Sequence, residues 1–421
     1  MTDRETIAWL TRRVGFGPAP GELDELEALG VDGALDRLLA PAGSAPTPDD
    51  LWADLTLHSE ESGERRRYAL AAITRWIEAL AATATPLPES MAWFWHGHLV
   101  TSILEVPYPI LLARQINLFR QRGLGSFVDL LAATTVDPAM LLYLDGAGST
   151  AEAPNENYGR EMLELFALGI GNYGEGDVQA AARALTGYRI ERTTGEPYVV
   201  PRAHDGGAQT LLGVEGVRDV AGVVDAVTGH GACAGFVARS VIAHLLGPEV
   251  DDALTDRLTE AFAAGGLELA PLVRSCLEAG VDGAAQPVVS GPTPWLVGAL
   301  RATGAAVEAR TMLEGLFAAG QLPWVPPNVG GWPGHTAWLT SATTVGRANL
   351  AGAVARGTPE DAPVLVAAAA GDHDALADHL GRPEGFGPMT RTALGEAARV
   401  GGRPGDAVLA TALCAPEVVI R

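Results

Sequence analysis

The chain contains no lysine: all 29 of its basic residues are arginine. Without a lysine amine, no Schiff base can form to a carbonyl substrate or to pyridoxal phosphate. No P-loop lysine can reach a β- or γ-phosphate either. Cysteine is nearly as scarce. Cys233, Cys276 and Cys414 lie far apart with no C-x-x-C spacing, which argues against a disulfide framework and a structural zinc site. Positive charge is also in short supply, with 51 acidic residues giving a net charge of -22. Such a field repels nucleic acid and anionic membrane surfaces, so neither is expected as a partner. No 18-residue uncharged apolar run exists. The first residues show no basic stretch leading into a long apolar one, so a cytoplasmic, non-membrane protein is expected. H-E-x-x-H, G-x-S-x-G and EF-hand loops are absent as well, which removes the common signature-bearing hydrolases.

What is present is apolar and helical in rhythm. A chain of 421 residues with 48% hydrophobic content can bury a large core, and its length suggests two lobes. Apolar residues recur at three- and four-residue spacing over 6–14, 20–39 (two short helices), 64–82, 89–104, 109–122, 126–134, 155–168 and 177–186. Gly169 and Gly187 stand where helix-ending glycines belong. From 188 to 213 the pattern turns to β-branched and aromatic alternation with Gly and Pro, a small hairpin or extended excursion. Helical spacing resumes at 217 and continues to the end, broken by a Pro/Gly/Trp-rich loop at 321–338. The expected fold is therefore mainly α, a multi-helix globular bundle with a small β/extended excursion near 188–213. A lobe over 1–213 would be followed by one over 214–421, unless the two form one continuous domain.

Gly169-Ile170-Gly171-Asn172-Tyr173-Gly174 matches a dinucleotide fingerprint letter for letter. That motif needs a strand before it, and the preceding 160–168 is helical, so the match is rejected.

Four polar constellations remain. In Trp93-Phe94-Trp95-His96-Gly97-His98, two histidines at i, i+2 would diverge by roughly 200° on a helix. Either Gly97 breaks the helix and lets both bind a metal, or one packs against tryptophan and the other is part-solvated. In Asn155 to Phe166, a helix capped by Asn155 sets Asn157, Glu161 and Glu164 on one stripe, with Arg160 four residues from both Glu156 and Glu164. A carboxamide, two carboxylates and a guanidinium suit acid–base chemistry or a hard cation; they equally suit an ion-pair network between helices. His204-Asp205 before two glycines reads as a base with its orienter, a ligand pair, or simple turn chemistry. Asn328 and Trp332, in Pro326-Pro327-Asn328-Val329-Gly330-Gly331-Trp332-Pro333, read as a pocket wall for a cofactor or as a plug between lobes.

In this order, and with the opening Trp9 to Pro18, the motifs resemble the bacterial DUF1800 family along nearly the whole chain. The resemblance implies a helical protein of unassigned activity, often encoded beside a DUF1501 protein similar to the alkaline phosphatase and sulfatase superfamily. Many members of that family look exported. Several carry a histidine where this chain has Phe166. Two functional expectations follow. In the first, an enzyme brings His96, His98, Asn157, Arg160, Glu161, Glu164, His204 and Asp205 into one cleft beside Trp332 and Asn328. His96, His98, Glu161 and Glu164 would then hold a divalent iron, manganese or zinc ion, and Glu161, Arg160, Asn157, His204 and Asp205 would act on a small-molecule substrate. In the second, a non-catalytic helical module binds a DUF1501-type partner, and the same residues form buried networks.

Overall fold

A computed structural model describes residues 1–40, 51–55, 57 and 62–421. Among them are 22 α-helices and two two-stranded antiparallel sheets, the mainly α architecture that the apolar spacing implies. Helix limits follow local chemistry. Pro109–Arg122 begins on a proline, whose missing N–H costs nothing in a first turn, and stops at Gly123. The 20–39 stretch is two helices, Glu22–Glu27 and Gly30–Leu39.

Three limits differ from the sequence reading. The Pro86–His98 helix ends six residues before the apolar spacing at 89–104 does. The Asn155–Leu168 stretch is α-helical over Glu156–Glu161 and then π-helical over Met162–Leu168. The excursion runs past 213: β1 (Tyr188–Ile190) pairs with β2 (Pro197–Val199), and β3 (Gln209–Leu211) pairs with β4 (Val214–Val217). Gly213, where a lobe boundary was expected, has φ of 81° in the β3–β4 turn.

Hydrophobic burial runs without interruption from Ile7 through Tyr158 and Leu296 to Val419, so residues on both sides of Gly213 share one core. The excursion packs through β3 on the Glu175–Ala184 helix. Among the described residues no single helix is long and apolar enough to cross a membrane. Cys233 and Cys276 are buried free thiols.

Two packing arrangements position the candidate residues. The Glu156–Glu161 helix lies directly on Glu175–Ala184, with Gly159 at the crossing. A Cβ there would meet the Val178 carbonyl oxygen at 2.7 Å and the Ala182 nitrogen at 3.0 Å. The 321–338 loop plugs into the Ser62–Ala82 and Pro86–His98 helices through Trp324 and Trp332. Trp324 sits 6.3 Å from Trp76, and Trp332 stacks on Trp93 at 5.4 Å and 19°. Gly331, at φ 79°, passes so close to the Gly97 carbonyl that a Cβ would lie 2.3 Å from its oxygen.

Candidate functional site

His96 and His98 point to different neighbours, and each is already engaged. His96 is fully buried among Trp76, Trp93 and Trp332, with ring centroids 5.5, 6.0 and 5.2 Å away. Its Nε2 faces the backbone N–H of Trp324 at 3.1 Å. A backbone N–H can only donate, so Nε2 holds the lone pair and the proton sits on Nδ1. Among the described residues that Nδ1–H has no conventional acceptor. Burial pushes the ring pKa down to about 3. Trp324 is itself held at φ 63°, a rare conformation for a bulky residue, and its carbonyl accepts from Ile103 N–H at 2.9 Å.

His98 has the opposite tautomer. Its Nε2 lies 3.0 Å from the Phe166 carbonyl, which can only accept, so Nε2 carries the proton. Phe166 lies in the last turn of the π-helix, where carbonyls lack intrahelical partners. His98 satisfies one of these, and Asn172 Nδ2 satisfies the Leu168 carbonyl at 2.9 Å. With one Nε2 lone pair spent and the other Nε2 protonated, the HxH pair forms no joint ligand set. Among the described residues, no group of three His, Cys, Asp or Glu side chains is placed to hold a metal ion. The expected set of His96, His98, Glu161 and Glu164 is therefore not gathered.

The motif helix carries a mixture of engaged and free groups. Asn155 caps it, accepting from Tyr158 N–H at 3.1 Å and donating to the Leu144 carbonyl at 2.7 Å. Arg160 does not pair with Glu156 or Glu164 as its spacing suggested. It reaches across to Glu175, at 2.8 and 3.1 Å from the two carboxylate oxygens. Glu164 accepts the Tyr173 hydroxyl proton. Glu161 makes no hydrogen bond or ion pair among the described residues. Burial, and then the charge of Glu164, push its carboxyl above the usual range, with Arg160 opposing. Burial and the charges of Glu105 and Glu161 push the nearby Tyr143 hydroxyl up to about 12. Asn157, one turn before Glu161, is exposed and likewise unpartnered among the described residues.

His204 packs against Gly187, just past the end of the Glu175–Ala184 helix. Its Nδ1 lies 2.9 Å from the Thr186 carbonyl, so Nδ1 donates and Nε2 keeps a free lone pair. Asp205 is not its orienter. The Asp205 carboxylate takes Arg183 at 3.2 Å and the Gly207 N–H at 2.9 Å. A short polar chain ties His204 to the motif helix: Ser149 accepts from Asn155 N–H on its hydroxyl and from Gly187 N–H on its carbonyl, both at 3.1 Å.

Trp332, which packs on His96 and Trp93, and Asn328 belong to the 321–338 loop rather than to the motif helix. Both line an open groove of about 670 Å³ with Pro327 and Trp338. Asn328 is exposed and caps Gly330 N–H at 2.9 Å. The expected single cleft thus divides into the tryptophan plug around His96, the His98 cap, the motif helix, His204 past the end of the neighbouring Glu175–Ala184 helix, and the groove. Two residues that organise these sites were missed from sequence. Tyr173 lay inside the rejected glycine string, and Trp324 stood in a Pro/Trp run whose left-handed conformation has no sequence mark.

A family model described as a protein of unknown function, DUF1800, matches residues 9–420. No curated protein and no solved structure matches the chain.

Proposed function

The chain belongs to the DUF1800 family, and we propose that it is an enzyme that moves a proton on a small polar substrate lying along the Glu156–Glu161 helix. One observation carries this reading. Of the candidate polar groups, the Asn157 carboxamide, the Glu161 carboxyl and the His204 Nε2 lack a partner among the described residues; the first two lie on that helix, and His204 sits just past the end of the Glu175–Ala184 helix packed against it. The others hold backbone or neighbouring side chains in place. His204, fixed through Nδ1 with its Nε2 lone pair free, is arranged as a general base. Glu161, whose carboxyl is pushed above its usual range by burial and then by Glu164, with Arg160 opposing, is arranged as the acid. Two groups with environments this different can give and take one proton. Asn157, about 6 Å along the helix from Glu161, orients the substrate.

The test is a thermal-shift screen of small polar metabolites on the wild type and on Asn157→Ala, Glu161→Gln and His204→Asn. The asparagine at 204 can still donate to the Thr186 carbonyl. A ligand that raises the wild-type Tm should lose its effect in all three variants, while their unliganded Tm stays unchanged. A ligand that shifts every variant equally would end this reading.

A second reading is favoured by the groove at Trp332. Its open, largely apolar walls of Pro327, Trp332 and Trp338 suit a segment of a protein partner, such as the DUF1501-type protein that the family resemblance implies. Binding of that purified protein, weakened by Trp338→Ala but not by Glu161→Gln, would support it over the enzyme reading.

A further inference from the structure

Inside this acidic chain, four arginines with buried donors collect in one place. Arg12 and Arg13 end the Asp3–Val14 helix and meet Arg382 and Arg421 there. Arg13 Nη2 donates to the main-chain oxygen of Arg421 at 2.8 Å and to the Gln286 carbonyl. Arg12 donates to the Gly381 carbonyl, and Arg382 to the Ile420 carbonyl. The Arg12 and Arg382 side chains are only 11% and 7% exposed. Among the described residues, the carboxylate paired with them is Glu384, at 3.9 Å from Arg12 and 3.4 Å from Arg382, and it is itself 40% exposed. Among the described residues, five buried donors have no acceptor: Nε of Arg12, Arg13, Arg382 and Arg421, and Nη1 of Arg13. Arg12, Arg382 and Arg421 line one cavity of about 50 Å³, with Ser290 and Trp295.

A guanidinium remains charged in nearly any surroundings and offers donors only. Burying four together, with the half-solvated Glu384 within ion-pair distance and Glu417 acting on Arg382 from further off, leaves positive charge in excess. Water in the cavity would supply acceptors but no charge. An oxyanion supplies both, and its oxygens match the guanidinium fork. We propose that this cavity binds a tetrahedral oxyanion, a phosphate or sulfate group, either free or at the end of an ester. Burial, with Arg382 and Arg13 nearby and Glu384 opposing, holds Arg12 well below the usual guanidinium range, and burial brings Arg421 down to about 10. The site is separate from the Glu161 face, so the two proposals fail independently.

The experiment titrates the full chain, in phosphate-free buffer at fixed ionic strength, with inorganic phosphate, sulfate and glycerol 3-phosphate, with chloride and acetate as controls. Melting temperature and calorimetric affinity are read together. Phosphate or sulfate should raise Tm saturably, while chloride and acetate should not. A tighter ester would identify an esterified ligand, and an equal or weaker one the free ion. Arg421→Gln should weaken binding about tenfold or more and leave the anion-free Tm equal or higher, because an uncompensated charge is gone. Arg382→Lys, which keeps the charge and loses the fork, should bind measurably more weakly than the wild type, and it carries the test if Arg421→Gln fails to fold. Absence of a saturable phosphate or sulfate effect, an equal effect from acetate, or unchanged affinity in the variants would overturn the proposal.

Discussion

Protonation of the chain at His96 should cost the fold about 2 kcal/mol between pH 7 and pH 5. The ring titrates near 6.5 when unfolded and is pushed to about 3 by complete burial among indoles. A depressed histidine pKa means that the unfolded chain takes up the proton first. The stability contributed by the neutral ring is therefore complete above pH 6.5 and is lost as the pH falls towards 3. At pH 5 the unfolded ring is protonated roughly thirtyfold over neutral while the folded ring is not, which gives the stated cost. His98 and His244 are also depressed by burial, so a variant comparison is needed to isolate His96. Glutamine suits it: its side-chain oxygen can accept from Trp324 N–H and it never ionises. Urea denaturation of the wild type and His96→Gln at pH 7, 6 and 5 is the assay. The variant should be weaker at pH 7 through lost contact with the tryptophans, yet its stability should fall by about 2 kcal/mol less on going to pH 5. Parallel curves would refute both the buried neutral ring and the Trp324 N–H bond that fixes its tautomer.

Gly159→Ala should destabilise by about 1–3 kcal/mol, because its Cβ would press on backbone atoms of Val178 and Ala182; equal urea midpoints would contradict the close crossing. Asp137 is buried, accepts from Met140 N–H and Gln115 Nε2, and has its carboxyl pushed up to about 7 by burial. Its folded pKa is raised, so the stability it lends is present at low pH and lost as pH rises towards 7. Asp137→Asn should then gain about 4 kcal/mol on the wild type between pH 4 and pH 8, measured by urea denaturation at both values. Trp332→Ala should cost about 3 kcal/mol, the low end for a large aromatic that is only half-buried, and should raise the His96 pKa by admitting water, as NMR titration of the ring would report.

The helical fold was legible because apolar spacing and end chemistry are local. Pro109 and Gly123 mark their helix without reference to anything distant. The misread limits are those that distant atoms decide. The 89–104 spacing continues past His98, but the His98 side chain is drawn to the Phe166 carbonyl and the next residues turn away. Met162–Leu168 reads as ordinary helix, since nothing in its residue types distinguishes a π turn. The carbonyl acceptors at its end, met by His98 and Asn172, are tertiary facts. The same division runs through the site. The stripe of Asn157, Glu161 and Glu164 could be read from spacing alone, whereas which of its groups stay free depends on Glu175 and Tyr173. The partner that fixes the His96 tautomer lies 228 residues away, and Arg12 and Arg382 are separated by most of the chain. A histidine or carboxylate in a motif is therefore a statement about geometry before it is one about chemistry. His96 and His98 are used to hold a loop and a helix end, and a group can act on a substrate only where the fold has left its lone pair or proton unspent.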